Sequence, residues 1–452
     1  MEKDMTKGNA IRLIIGFCIP MLFGNIVQQL YSMADSIIIG RYVGKAALAG
    51  VGSAGSLNFM VIGFAIGVCN GLCIKVAQSF GAKDFSLMRK YIANALYMCI
   101  GITVLLTAVS IGLTNWVLKV MDTPQDIFEY AYGYITIIFA GIIFVMIYNF
   151  LSCVLRAIGD SKSPLYFLII AALLNIVLDL LFILALGWGA KGAAYATVIS
   201  EAVSAILCFV YILRKYPILK VKGEEWRFDI KLCLSLIAVG IPMGLQISIV
   251  AIGALILQAA VNAMGTDAVA AITAYGKIEI LAIEPLDAIG ITMATYCAQN
   301  KGAGQYQRIR QGMRKALLLS MTYCLFAMFI VCVMGRYLVL LFVKKEEIQV
   351  LAYAGKALLI QGLAYPLLSI LFIFRNALQG MGYSFLPMLG GAAELFGRAF
   401  VIFTFVGGYG FTAVCFASPA AWLGVDVLLL VTYAIKIKKL KIQLAQVQVG
   451  AA

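Results

Sequence analysis

Apolar runs of about 20 residues or more recur along almost the whole chain, separated only by short polar or glycine-containing breaks. A bilayer core is crossed by about 20 mainly apolar residues, and lipid offers the backbone no hydrogen-bond partner, so runs of this kind fold as helices. The spans are expected near 11–39, 52–75, 91–117, 127–155, 165–186, 193–213, 232–261, 269–292, 316–341, 348–374, 385–406 and 413–435. Composition agrees, with 63% hydrophobic and 12% charged residues against roughly one half and one quarter in soluble chains. The fold class is therefore an all-α integral membrane protein of about twelve transmembrane helices.

The formal net charge of +14 does not mark a nucleic-acid binder, because the basic residues sit at the ends of apolar runs and form no single patch. Lys3, Lys7 and Arg12 precede the first run, which is too long for a signal peptide and is retained as a helix. Lys436, Lys438, Lys439 and Lys441 follow the last. With both termini cytoplasmic, most of the 35 Lys and Arg, Arg156 and Arg375 among them, fall on that side, as the positive-inside rule requires of a multi-pass protein of the cell membrane. Pro20 and Pro285 are expected to bend their spans.

The 11 cysteines include no C-x-x-C pair, and no histidine exists to complete a zinc set. They read as small packing residues. Without histidine, any proton relay must use carboxylates, and no constellation points to an enzyme.

The most polar break, 214–231, divides six spans from six. Across it the chain repeats itself at an offset of roughly 221 residues. Gly44-Lys45-Ala46-Ala47 corresponds to Gly265-Thr266-Asp267-Ala268, Ala77-Gln78 to Ala298-Gln299, and Gly187-Trp188-Gly189 to Gly408-Tyr409-Gly410. Leu155-Arg156-Ala157-Ile158-Gly159 and Leu378-Gln379-Gly380-Met381-Gly382 correspond within two residues of that offset, as do Ile19-Pro20 and Ile241-Pro242. The expected organisation is an N-terminal six-helix lobe over 1–215, a cytoplasmic linker over 216–231, a C-terminal six-helix lobe over 232–441 and a tail over 442–452. An even number of helices per copy makes the repeats parallel, two lobes able to rock about a central cavity.

Ionisable side chains inside such spans cost from ~3 to above ~10 kcal/mol, so each needs a partner or a purpose. Asp179 has Asn175 one turn earlier on the same helical face and no base in its own span. Asp35 is isolated in the same way. A carboxylate so placed can carry a proton or, with amide and hydroxyl oxygens, ligate Na⁺. Glu394 and Arg398, four apart, form a self-neutralising pair. Lys277, Glu284 and Asp287 share a face of the eighth span, where Lys277 can neutralise one acid and leave another for a cationic substrate; Glu279 lies in the same span. Glu201 and Asp426 are expected toward the cytoplasmic interface.

Pro20 through Ala34-Asp35-Ser36 to Gly40, Leu155-Arg156-Ala157-Ile158-Gly159-Asp160 with Pro164, and the Ala-Gln-x-x-Gly-Ala motifs at 77–82 and 298–303 together resemble the multidrug and toxic compound extrusion (MATE) transporters. The resemblance implies a V-shaped, two-lobed exporter, functioning as a monomer, that exchanges cytoplasmic organic cations or drugs for external H⁺ or Na⁺, with no other cofactor. It implies a cation-coupling site in the first lobe at Asp35, Asn149, Asn175, Asp179 and Thr197, with Asp35, Asn175 and Asp179 as ligands if the ion is Na⁺. Where some members carry a second-lobe sodium site, this chain has Gln246 and no carboxylate in span seven. Gln246, Glu279, Glu284, Asp287 and Glu394 are then candidates for a substrate cavity. The alternative within the same superfamily, a flippase for lipid-linked precursors, calls for a basic cavity, whereas acids outnumber bases within these spans.

Overall fold

The computed structural model describes residues 4–450, with side chains through Lys439. Lys3, the Lys441 side chain and the side chains of the 442–452 tail lie outside the described residues. Every regular element among the described residues is helical. Among the described residues ten helices are long and apolar enough to cross a bilayer, and counting each of two bent pairs as one span gives up to twelve.

The chain divides into two compact units, one built on Ile19–Ser248, the other on Met5–Cys18 and the chain from Ile249 onward. The first contains most of α1 (Ala10–Ile38), then α2 (Lys45–Gly81), α3 (Phe85–Val120), α4 (Gln125–Ala140), α5 (Ile142–Ala157), α6 (Lys162–Leu180), α7 (Gly189–Lys215) and the opening half of α8 (Ile230–Asn262). The second contains the start of α1, the end of α8, α9 (Thr266–Gly302), α10 (Tyr306–Val339), α11 (Ile348–Leu363), α12 (Tyr365–Gly380), α13 (Phe385–Tyr409) and α14 (Phe411–Gly450).

The duplication expected from sequence is visible element by element. Helices α2 and α9 are each 37 residues long, and each follows a glycine in a positive-φ conformation, Gly44 at 115° and Gly265 at 93°, which only glycine adopts freely. The bent pairs recur at equivalent places, α4 and α5 meeting at 49° and α11 and α12 at 51°. These breaks are not at Pro20 or Pro285, which both lie inside continuous helices. At Gly141, between α4 and α5, the Val198 side chain of α7 occupies the place a Cβ would take, so the backbone turns where a neighbour crosses it.

In the first unit α8 approaches α2 through small residues. A Cβ at Gly71 would stand 2.5 Å from Gly240 Cα, and one at Gly67 would stand 2.7 Å from Met243 O. Glycines spaced four apart on both helices let the backbones touch, which is how helices associate where lipid supplies no hydrophobic drive.

The turn between α5 and α6 is closed by Asp160. Its Oδ1 accepts the Lys162 and Ser163 backbone N–H groups at 3.1 and 3.0 Å, and its Oδ2 accepts the Ser163 and Tyr216 hydroxyls, both at 2.6 Å. Burial pushes this carboxyl up, but those donors outweigh it and hold the group below its ordinary value. In the linker, Glu225 is held down chiefly by the Arg89 guanidinium, which it meets at 2.7 Å. Ten cysteines are buried and Cys332 is half-buried, all as free thiols, in keeping with packing residues.

Candidate functional site

Asp35 sits in the last turn of α1, which continues into a π-helical turn over Ile39–Val43. Asp179 sits in the last turn of α6, which continues into a second π-helical turn over Leu181–Ala185. The two π turns pack on each other and on α7, above an apolar cluster that includes Ile38, Ile39, Ile183 and Ala193. Single π turns within α-helices are frequent at functional sites.

The two acids stand together just before these turns. The Asp35 and Asp179 carboxyl groups lie within hydrogen-bonding reach of each other, with Asp179 and Asn175 fully buried and Asp35 only 8% exposed. Asn175 Nδ2 donates to Thr197 Oγ1 at 3.4 Å, and Tyr31 OH donates to the same oxygen at 3.1 Å. Thr197 in turn donates to Ala193 O at 3.0 Å. That chain fixes the amide so that Asn175 Oδ1 is left over. Asp35 Oδ1, Asn175 Oδ1 and both Asp179 oxygens are buried without a hydrogen-bond partner. Four unpartnered acceptor oxygens are thus gathered in the pocket, a constellation that a proton or a small cation completes. Tyr134 of α4 lies within electrostatic reach of both acids.

Of the residues singled out from sequence, Asp35, Asn175, Asp179 and Thr197 thus converge. Asn149 stands apart: its Nδ2 donates to Val145 O at 2.9 Å, and it lines a separate cavity with Arg156 and Glu201. Tyr31 was missed, although its position one turn before Asp35 was the available signal. Glu201 lies near the middle of α7, with Oε2 buried and unpartnered, and not at an interface. It follows Thr197 by one turn on the same face.

In the second unit, Glu394 accepts from Arg398 Nη2, the expected pair, and also from Arg375 Nη2 at 3.1 Å. Arg375, counted among the cytoplasmic bases, is 9% exposed and its side chain lies within the bundle. Asp426 is buried within electrostatic reach of Arg375 and Glu394, and both its oxygens lack hydrogen-bond partners. Glu279 lies near Tyr275 and Arg398, and Glu284 and Asp287 are half-buried on α9, where Lys277 is exposed. Gln246, on the opening half of α8, is buried and falls in the first unit.

Two bundles of matched helices, with a buried acceptor pocket in the first, have the architecture of a membrane transporter. The chain belongs to the MatE family, whose model matches residues 20–181 and 242–414. It is 28% identical over 381 residues, 84% of each chain, to the probable multidrug resistance protein YpnP of Bacillus subtilis. It is 25% identical over 380 residues, 81% of this chain and 82% of the other, to an FAD transporter of Shewanella oneidensis. The outward-facing structure of a multidrug resistance MATE family transporter superimposes with a TM-score of 0.90 at 21% identity, covering 97% of this chain and 98% of that one.

Proposed function

We propose that the protein is a secondary active multidrug exporter of the cell membrane, with both termini cytoplasmic, that exchanges organic cations or drugs for external H⁺ or Na⁺ by alternating access and works as a monomer. The observation that carries this reading is the cluster of buried, unpartnered acceptor oxygens at Asp35, Asn175 and Asp179. Two facing carboxylates and an amide oxygen, shut from water, bind one proton or one Na⁺ between them and gain little from an anion or a neutral molecule. Thr197 and Tyr31 hold the amide in the orientation that presents its oxygen.

Coupling then follows from linkage. A cation that binds this pocket in one conformation more tightly than in another shifts the equilibrium between them by that difference in affinity. Neutralising a buried carboxylate pair is a large local change, and the last turns of α1 and α6, which carry the acids and lead into the π turns, are the elements it acts on first.

Asp179→Asn keeps the shape of the pocket and removes the charge. It is expected to abolish ethidium efflux from energised cells while expression and membrane insertion stay normal, and Asp35→Asn is expected to weaken or abolish it. Wild-type efflux in Asp179→Asn cells, matched for protein level, contradicts the assignment.

A further inference from the structure

Buried thiols read as packing residues, but the sulfur of Cys153 meets a charge. Arg156 Nη2 donates to Cys153 Sγ at 2.7 Å and to Asn70 Oδ1 at 3.2 Å, and as a thiol Cys153 donates to the same oxygen at 3.0 Å. The Asn70 amide thus holds guanidinium and sulfur side by side. No carboxylate forms a salt bridge with Arg156 among the described residues, and Asp160, four residues on, is already filled by its own donors. The group in contact with the guanidinium that can carry a negative charge is the sulfur. A contacting cation stabilises the thiolate, which is the nucleophilic form. Both residues stand near the C-terminus of α5, where the helix dipole works against a thiolate, but a dipole end acts more weakly than a guanidinium in contact.

A second thiol stands beside it. Cys73 Sγ of α2 donates to Phe150 O at 3.8 Å, one turn before Cys153 on α5, and the Cys73 and Cys153 side chains interact directly. The two are 5% and 3% exposed, yet Arg156 and Asn70 next to them are half-buried, and Arg156 lines a cavity of about 80 Å³. That volume admits water-sized molecules, hydrogen peroxide among them, and shuts out bulky thiols. We propose that Cys153 and Cys73 form a peroxide-reactive dithiol, in which Arg156 steadies the Cys153 thiolate for attack and Cys73 closes a disulfide between α2 and α5. The thiolate attacks one peroxide oxygen, the O–O bond breaks, and hydroxide leaves to give a Cys153 sulfenic acid. The Cys73 sulfur then attacks the Cys153 sulfur, and its proton leaves with the displaced hydroxide as water. Two thiols and one peroxide become one disulfide and two water molecules. The disulfide is uncharged, so oxidation leaves the Arg156 guanidinium bare on the cavity wall. The assignment stands independently of the exporter reading.

The test treats purified full-length protein in detergent with hydrogen peroxide, then denatures it, alkylates the remaining thiols and maps them by mass spectrometry. Two other cysteines serve as internal references. Cys332 is the half-buried thiol, and Cys69 interacts with Cys99 while its own bonds go to Met146 O and Sδ. If exposure governs, Cys332 reacts first; if thiol proximity alone governs, Cys69 keeps pace with Cys153. The expected result is a Cys73–Cys153 linked peptide pair that forms at least about tenfold faster than either reference is oxidised. Cys73→Ser is expected to stop at the Cys153 sulfenic acid, captured by dimedone. Arg156→Gln is expected to slow Cys153 oxidation about tenfold and Arg156→Lys to keep most of the rate. Either reference reacting ahead of Cys153 in wild-type protein overturns the proposal, as does a wild-type rate in Arg156→Gln or a Cys73→Ser protein with no dimedone adduct at Cys153. The order of reaction in wild-type protein decides the matter even where a variant fails to fold.

Discussion

Replacing Glu394 by glutamine measures how far the charge cluster of the second unit is structural. Glu394 is 3% exposed and accepts from two guanidinium groups, Arg375 and Arg398, that are themselves only 9% and 8% exposed. Glutamine keeps the shape but leaves two buried cations facing a neutral amide, and breaking a buried ion pair in this way costs about 3–5 kcal/mol. For a unit of about 200 residues, at ~2–4 °C per kcal/mol, the expected fall in Tm is roughly 6–20 °C. The assay is thermal unfolding of the purified protein in detergent, followed by the reactivity of the buried cysteines as they become exposed. Replacing Glu394, Arg375 and Arg398 together by leucine is expected to recover most of the loss, because the stranded charges leave with their partner. A Tm for Glu394→Gln within about 2 °C of wild type refutes the reasoning.

Asp160→Ala removes an acceptor from four donors and is expected to cost about 1–2 kcal/mol at pH 7. Because the folded carboxyl is held below its ordinary value, that stability is present above the unfolded value of ~3.9 and is lost as pH falls through the folded one. The gap in Tm between variant and wild type therefore closes below about pH 4, and a gap constant from pH 7 to 3.5 contradicts it. Thr197→Val removes the oxygen that holds both Tyr31 and Asn175. It is expected to raise the cation concentration needed for half-maximal efflux by about tenfold, one or two neutral hydrogen bonds, while Tyr31→Phe, which loses one bond, has the smaller effect; equal, wild-type values in both remove Thr197 from the site.

The spans and the duplication were legible because their signals are local: length of apolar run, small residues at fixed offset, charge at run ends. Asp35 and Asp179 were legible for a related reason, since an acid in an apolar run with no base nearby is conspicuous whatever it packs against. What escaped depends on neighbours that sequence does not order. The break at Gly141 falls where Val198 crosses the backbone, the one after Ala364 has Pro366 in the first turn of the helix that follows, and neither coincides with Pro20 or Pro285, which were expected to bend their spans and lie inside helices. Arg375 lies near the end of its span, which says nothing about whether its side chain turns outward or back toward Glu394. Gln246 looked like a second-unit residue because it follows the linker, yet the opening of α8 packs with α2 through glycines. Glu201 and Arg156 stand on different helices, and only their shared cavity shows that the first unit carries charge of both signs.

The central claim is that a cation bound at Asp35 and Asp179 drives export, and purified protein in liposomes tests it most directly. Ethidium transport is followed under an imposed pH gradient alone and then under a Na⁺ gradient alone, for wild-type and Asp179→Asn protein. The account predicts that at least one of the two gradients drives wild-type transport and that neither drives it in the variant. Transport by Asp179→Asn at the wild-type rate under the same gradient contradicts it.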